Sequence, residues 1–249
     1  MNQSTTKITP YFSDRDMPDA KSEYVCWIDM MGTQQKMIDT VRKATIHVFK
    51  FHSALIKYKT DDVEIYPLMD GAYITSRDFL KMLSYLQNVF VCLANLAAET
   101  REPEHRFLVR AGMAYGQMLH GAEITNKAST ELDQNRNITN QIMVGPPMSW
   151  AYQIENQAPP FGICIHDSVR LYSIRDMKPT KSIDKWWKWW KPFYEIVSPL
   201  IDFGDPKIFD HLKSAIKSYF DYAEKNTYFL SYSKTEINKH RDMFNEYFQ

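Results

Sequence analysis

The chain has 249 residues, 44% hydrophobic and 24% charged, a composition typical of a globular protein with one substantial core. Lysine plus arginine equals aspartate plus glutamate at 30 each, so no overall positive field attracts long nucleic acids or anionic lipid. The spacing of Cys26, Cys92 and Cys164 favours buried thiols in a reducing compartment over a disulfide or zinc framework.

Residues 1–21 are polar, contain two prolines and predict a flexible leader before the fold. This segment lacks the apolar stretch of a signal peptide, and no run in the chain approaches the roughly 20 apolar residues of a membrane span. We therefore expect a cytoplasmic protein without membrane contact. Residues 23–30, EYVCWIDM, then predict a strand that Gly32 closes.

The segment 33–58 predicts a helix, because apolar residues recur at helical spacing at Met37, Val41, Ile46, Val48 and Leu55. Two strand-like runs follow within residues 61–77. The pair Asp70-Gly71 between them predicts a tight hairpin.

Asp78 is the predicted N-cap of a buried helix that runs from residue 79 to about residue 101. Residues 106–124 then predict two strands joined near Gly116, and the polar stretch 125–140 predicts a loop. A short helix over 148–158 and a strand over 162–172 complete this part of the chain. The order predicts an α+β fold, a ferredoxin-like split βαβ sheet with helices on one face.

The residue pattern of the sequence changes near residue 178, so we predict one domain over 22–177 and a mostly helical C-terminal extension over 178–249. The extension begins with KWWKWWK, residues 185–191, which is too short to bind a membrane alone. Large aromatics in a cluster are typical of a core or an interface, and we expect subunit packing here. The extension is thus a predicted dimerisation element.

Two carboxylates are the candidate functional residues. Asp29 ends the first predicted strand and Asp70 lies at the tip of the hairpin, so pairing of the central strands brings both to the same end of the sheet. Their mutual repulsion is relieved by a hard divalent cation, which prefers oxygen ligands. The turn Met31-Gly32-Thr33 offers backbone N–H groups to phosphate oxygens. The alternative is that each aspartate only caps a helix or forms a turn.

Four motifs in order resemble the class III nucleotide cyclase catalytic domain. They are Asp29-Met30-Met31-Gly32, LMDGAYIT with Asp70, VRAGMAYGQMLHG with Arg110, and GPPMSWAYQIENQ. The resemblance covers roughly residues 22–175. It implies a cyclase palm domain in which the two aspartates and the Met30 carbonyl bind two Mg²⁺ or Mn²⁺ ions beneath the phosphates of a nucleotide. Arg110 then either contacts phosphate or neutralises nearby carboxylates.

The base-reading positions depart from the family. Tyr66 stands where such cyclases carry the lysine that reads adenine, and Ile142 stands where they carry an aspartate. A smaller pocket with one hydroxyl favours a pyrimidine. The chain therefore resembles the bacterial pyrimidine cyclases of Pycsar anti-phage systems. That resemblance implies UTP, or else CTP, as substrate, a cyclic monophosphate as product and a separate effector protein that the product activates.

The last helix of the family's catalytic domain corresponds to the GPPMSWAYQIENQ motif, and it also departs from the family pattern. Ser149 and Gln153 replace the asparagine and arginine that stabilise the transition state in the family. Lys127 and Arg136 are candidate substitutes. In the family, two domains meet head to tail and the last-helix groups come from the partner, which implies a homodimer with sites at the interface. The open readings are a pyrimidine cyclase, a purine cyclase and a catalytically silent nucleotide-binding signalling module.

Overall fold

The computed structural model describes the ranges 17–33, 41–124, 132, 134–172, 185–191, 207–227 and 233–249. The strands are β1 (Lys21–Met31), β2 (Glu64–Leu68), β3 (Gly71–Ser76), β4 (Leu108–His120), β5 (Met143–Val144), β6 (Ile163–Ile165) and β7 (Trp186–Trp187). The helices are α1 (Val41–Lys57), α2 (Phe79–Glu99), α3 (Gly121–Ile124), α4 (Arg136–Thr139), α5 (Pro146–Glu155), α6 (Asp167–Tyr172), α7 (Ile208–Lys225) and α8 (Lys234–Tyr247).

The described strands form one sheet in the order β2-β3-β1-β4-β6-β7, and β5 pairs with the end of β4. β1 lies at the centre and is antiparallel to both β3 and β4, whereas β6 runs parallel to β4. The first four strands and the helices α1 and α2 follow each other as β-α-β-β-α-β. With the strand order 2-3-1-4, this is the ferredoxin-like split βαβ arrangement, so the predicted α+β fold is confirmed.

The first hairpin differs in detail from the predicted one. Leu68 pairs with Gly71, so the two turn residues are Met69 and Asp70, and Met69 adopts a φ of 55°. Gly71 is instead the first residue of β3. A Cβ there would lie 2.4 Å from the ring of Trp27, so this position needs glycine for the close approach of an indole and not for the turn.

β4 is one continuous strand, so the prediction of two strands joined near Gly116 is wrong. A Cβ at Gly116 would lie 2.9 Å from Pro147, and a Cβ at Gly112 would lie 2.2 Å from the carbonyl oxygen of Ala151. Both contacts are to α5. The glycines therefore let a helix lie against the strand, and they do not break it.

Helices cover both faces of the sheet, which corrects the expectation that they pack on one face. Cys26 and Ile28 of β1 belong to the large core that α1, α2, α7 and α8 complete. The alternate residues Val25 and Trp27 pack on the opposite face, in a smaller cluster that includes Ala151 of α5. Asp29 follows in the same alternation, so it lies on the α5 face.

The predicted apolar face of α1 is confirmed for Leu55, which is buried, and Val48, which packs against the core, but not for Val41 and Ile46. Its buried residues are Ala44, His47, Phe51, Ala54 and Leu55. Val41 and Ile46 are exposed by 71% and 48%, because they lie on the side of the helix away from the sheet. Met37 lies outside the described residues.

α2 is the central core helix. Its predicted cap is confirmed, because the Lys81 N–H donates to Asp78 Oδ1 at 3.0 Å. By length and composition alone α2 could cross a membrane, so the statement that no apolar run approaches this length is wrong for it. Half of the apolar stretch within α2 is buried inside the fold, where it packs against the sheet and α7.

The C-terminal residues that the structure describes contribute to the same core. Trp187 and Trp189 are buried within the chain, which corrects the expectation that the tryptophan cluster packs between subunits. The Trp189 indole N–H donates to the carbonyl oxygen of Phe161 at 2.7 Å, and the Tyr247 hydroxyl donates to that of Trp187 at 2.7 Å. β7 extends the sheet beyond β6. The predicted strand over 162–172 is also shorter than expected, since β6 ends at Ile165 and α6 follows.

Replacing Gly112 should test how closely α5 approaches β4. Gly112→Ala places its methyl group against backbone atoms of α5, which cannot move aside as a side chain can, so we expect it to lower the free energy of unfolding by about 2–3 kcal/mol. Gly116→Ala meets mainly the Pro147 ring and should lower it by less than half as much. Urea denaturation of both variants measures the difference, and equal losses would contradict the proposed packing.

Candidate active site

Asp29 and Asp70 meet at one corner of the sheet. Asp29 of β1 pairs with Gly71 on one side and with Arg110 on the other, and Asp70 immediately precedes Gly71. The Met30 N–H donates to the carbonyl oxygen of Asp70 at 3.1 Å, which joins the hairpin turn to the end of β1. The structure thus brings together the two carboxylates that the sequence analysis singled out.

This corner is electrostatically unfavourable for a negative charge. Burial, followed by the charges of Glu155 and Asp70, raises the pKa of Asp29, which comes to about 7. Arg110 and a hydrogen bond from the Met30 N–H act in the opposite direction but do not outweigh these effects. A cation placed between the carboxylates would remove the repulsion.

Glu155, at the end of α5, is a site residue that the sequence analysis missed. Its carboxylate is 5% exposed and accepts a hydrogen bond from Arg110 Nε. Burial raises the pKa of Glu155, although Arg110 opposes the increase. Arg110 therefore neutralises nearby carboxylates, one of its two expected roles. The available signal was that Glu155 lies four residues after Ala151, on the buried side of a helix.

The turn after Asp29 offers backbone groups and no exposed side chains. β1 continues to Met31, and Gly32 then adopts a φ of 74°, a conformation that favours glycine. The side chains of Met31 and Thr33 are buried, and the Thr33 hydroxyl donates to the carbonyl oxygen of Met30 at 3.2 Å. Phosphate binding by the N–H groups of this turn stays a prediction, because residues 34–40 lie outside the described ranges.

The oxygen donors at the corner fit a hard divalent cation. Two carboxylates and the second lone pair of the Met30 carbonyl oxygen are the ligand types that Mg²⁺ and Mn²⁺ prefer. Within the described ranges, no three His, Cys, Asp or Glu side chains form a metal-binding group. Further ligands would have to come from bound nucleotide or water, as is usual for Mg²⁺.

Tyr66 lies on the same sheet face but apart from Asp29. It pairs with Tyr73 of β3, which in turn pairs with Trp27 of β1. The rings of Trp27 and Tyr73 are in contact at 4.5 Å between centroids and stand between Tyr66 and the aspartates. Tyr66 instead lines a separate cleft of about 710 Å³ that also contains His120. One chain therefore does not combine the two predicted parts of a nucleotide site.

The predicted partner-chain positions are accessible. Ile142 is 38% exposed, and its carbonyl oxygen accepts the Gly121 N–H at 2.7 Å, which places it beside the Tyr66 cleft. Ser149 and Gln153 lie on the exposed side of α5, with 3.3 Å between Gln153 Nε2 and Ser149 Oγ. Arg136 is exposed on α4, whereas Lys127 lies outside the described residues.

Comparisons with known proteins give structural matches only. No family model matches the chain, and no curated protein matches it. An adenylate/guanylate cyclase/hydrolase from Silicibacter pomeroyi is 15% identical, with a TM-score of 0.43 over 65% of this chain and 85% of that protein. A bacterial light-regulated adenylyl cyclase is 13% identical, with a TM-score of 0.48 over 62% of this chain and 45% of that protein. An adenylate cyclase from Trypanosoma brucei is 12% identical, with a TM-score of 0.43 over 60% of this chain and 74% of that protein. Matches at this level do not establish an activity for this chain.

The raised pKa of Asp29 predicts how stability depends on pH. Because the folded state holds this proton up to about pH 7 and the unfolded state releases it near pH 4, stability falls as the pH rises between these values. Asp29→Asn carries no such charge. In the absence of metal, the variant should therefore gain about 4 kcal/mol over the unaltered protein between pH 4 and pH 8.

Thermal or urea unfolding at a series of pH values measures this gain. Adding Mn²⁺ at pH 8 should stabilise the unaltered protein and leave the Asp29→Asn variant unchanged. Parallel pH profiles for the two proteins would contradict the assigned burial of Asp29.

Proposed function

We propose that this chain is a nucleotide cyclase that converts a pyrimidine nucleoside triphosphate into its 3′,5′-cyclic monophosphate and pyrophosphate. The observation that carries the proposal is the meeting of Asp29 and Asp70 at one sheet corner, where their charges oppose each other and need a cation. The resemblance of the sequence motifs supports the same chemistry. The proposed substrate is UTP, with CTP second.

Each residue at the corner has a role in this proposal. Asp29, Asp70 and the Met30 carbonyl oxygen would hold Mg²⁺ or Mn²⁺, and such ions favour ionisation of the ribose 3′-hydroxyl and neutralise charge on the phosphates. The N–H groups of Gly32 and Thr33 would donate to phosphate oxygens. Arg110, held by Glu155, limits the negative charge that the corner must accommodate before ligand binds.

The separation of Tyr66 from the aspartates supports a site made by two chains. In a head-to-tail homodimer, the aspartate corner of one protomer would face the Tyr66 cleft of its partner, so that each protomer contributes half of each site. Exposed apolar side chains lie on β2, β5 and α5, with Leu68 at 55%, Val144 at 61% and Tyr152 at 59% exposure. Apolar exposure of this kind is typical of a surface that another protein covers.

The proposed substrate class depends on Tyr66 and Ile142. Tyr66 contacts His120 at the end of β4, and Ile142 accepts a hydrogen bond from the next residue, Gly121, so we expect both to contact one base. Neither supplies the ammonium or the carboxylate that adenine recognition uses in the family. A purine cyclase is therefore the less favoured reading.

We also propose a cytoplasmic, second-messenger role in anti-phage defence, in which a separate effector protein responds to the product. This part of the proposal depends on the family resemblance. The three cysteines are free thiols, which is usual in a reducing compartment.

A silent nucleotide-binding module is the second candidate function. The observation that favours it is the exposed pair Ser149 and Gln153, where the family places an asparagine and an arginine. Without a guanidinium at this position, stabilisation of the transition state decreases by several kcal/mol. Such a module would bind nucleotide and release no pyrophosphate.

Product analysis with the four nucleoside triphosphates tests the proposed function. In Mn²⁺ buffer, we expect pyrophosphate and a cyclic monophosphate from UTP or CTP well above the amounts from ATP or GTP. Asp70→Asn should lower turnover by roughly 100-fold or more, because it removes a metal ligand. Asp221→Asn, an exposed carboxylate on α7, is the matched control and should retain activity. Binding without release of pyrophosphate would favour the silent module, and faster turnover of purines would contradict the substrate class.

Mixing two inactive variants tests whether two chains form each site. Asp70→Asn removes the metal half of the site and Tyr66→Ala removes the base half. After unfolding and refolding together at equal amounts, half of the dimers contain one of each chain, and one of their two sites is intact. We expect about one quarter of the unaltered activity. No recovery, with dimers present by light scattering, would indicate that each chain forms its own site.

A further inference from the structure

A buried hydrogen-bond chain holds the hydroxyl of Tyr66. The Tyr66 hydroxyl oxygen lies 2.6 Å from His120 Nδ1, and His120 Nε2 lies 2.8 Å from Glu23 Oε2. The other oxygen of Glu23 accepts from Arg77 Nε at 2.9 Å. The exposed fractions of Glu23 and His120 are only 3% and 7%, whereas Tyr66 is half-buried and lines the cleft.

The chemistry of the three groups sets the direction of each bond. Burial alone would raise the pKa of Glu23, but its hydrogen bonds with His120 and Arg77 and the charge of Arg77 hold it below its usual value. Glu23 is therefore a carboxylate and can only accept, and Arg77 already balances its charge, so we assign the buried His120 as the neutral imidazole with its proton on Nε2. Nδ1 is then without a proton and accepts from the Tyr66 hydroxyl. Burial raises the pKa of Tyr66 to about 12, so the hydroxyl retains its proton.

The Tyr66 proton is consequently directed into the protein and not into the cleft. The Tyr66 hydroxyl oxygen has only a lone pair facing the cleft. It can therefore accept a hydrogen bond from a ligand but cannot donate one. A tyrosine without such a neighbour could rotate its O–H and serve either as donor or as acceptor. Glu23 and His120 remove that freedom.

We propose that Glu23 and His120 are positioning residues for base recognition, which make Tyr66 an obligate acceptor that selects a pyrimidine edge with an N–H donor. The inference rests on the proposed function, since it assigns the cleft to the base. The N3–H of uracil is such a donor, and so is the exocyclic amine of cytosine. A base whose donor is blocked leaves two acceptors facing each other, which is unfavourable.

The first measurement concerns the chain alone and needs no substrate. ¹⁵N NMR of the histidine ring nitrogens distinguishes a protonated from an unprotonated nitrogen. We expect His120 to carry its proton on Nε2 and none on Nδ1 at neutral pH. A proton on Nδ1 would overturn the proposal, whatever the activity of the protein.

The second measurement compares UTP with 3-methyl-UTP, which lacks the N3–H, and with 5-methyl-UTP, which retains it. If the chain prefers CTP, the matched probe is the N4,N4-dimethyl analogue. We expect kcat/KM to fall by about 10- to 100-fold for the blocked analogue, mainly through KM, and to change little for 5-methyl-UTP. Equal kcat/KM values for the blocked and unblocked bases would overturn the inference and leave the cyclase proposal intact. No turnover of any triphosphate would overturn both.

Variants distinguish positioning from a structural role. In Glu23→Gln the amide can donate to His120, which reverses the chain and lets Tyr66 donate to the cleft, so discrimination against the blocked base should decrease. In a Tyr66→Phe background the same substitution should have no further effect on that ratio. Asp221→Asn, an exposed carboxylate on α7 that does not line this cleft, is the control and should leave the ratio unchanged.

Urea unfolding shows whether the Glu23→Gln protein is folded. If it is not, Tyr66→Phe alone tests the idea, because removing the hydroxyl should abolish the discrimination. Equal effects of Glu23→Gln with and without the Tyr66 hydroxyl would overturn the positioning role.

Discussion

The concentration of negative charge between the end of β1 and the end of α5 is the constraint on which the rest of this structure depends. Asp29, Asp70 and Glu155 converge on a partly buried corner, where the positive charge of Arg110 acts on Asp29 and pairs with Glu155. Burial and the two neighbouring carboxylates together outweigh this guanidinium, so the pKa of Asp29 lies near 7. Such a corner is unfavourable as part of a scaffold and favourable as a cation site.

The packing of the fold produces this corner. Gly112 allows α5 to contact β4, and this contact brings Glu155 to Arg110, which is directly across from Asp29. On the other side, Gly71 makes room for the Trp27 ring and thereby fixes the hairpin turn that carries Asp70. Gly71, which looks like a turn residue in the sequence, and Gly112 therefore both act as points of close approach, and the positions of the acidic groups depend on them.

The parts of the site that could be predicted are those set by local sequence and by central strand pairing. Asp29 follows an apolar strand and Asp70 lies in a hairpin turn, and the split βαβ order places those two strands side by side. Glu155, Glu23 and His120 could not be predicted in the same way. Glu23 and His120 are 97 residues apart and meet only because β4 runs unbroken past Gly116, where we expected a turn.

The tryptophan cluster shows the same limit. An aromatic cluster predicts burial, but composition does not indicate what buries it. Trp189 meets Phe161 and Gln87 of its own chain, because β7 adds to the sheet edge and α8 covers it. The sequence pattern thus predicted that these tryptophans are buried. Only the long-range contacts in the structure show that other parts of the same chain bury them.

The most direct test of the account is a Mn²⁺ titration followed by electron paramagnetic resonance of the free ion, in the presence of a UTP analogue that cannot cyclise. The protein should bind Mn²⁺ at pH 8 beyond the amount that the analogue binds without protein. The Asp29→Asn and Asp70→Asn variants should each lose this additional binding while remaining folded. Binding by either variant that matches the unaltered protein would contradict a cation shared between the two carboxylates.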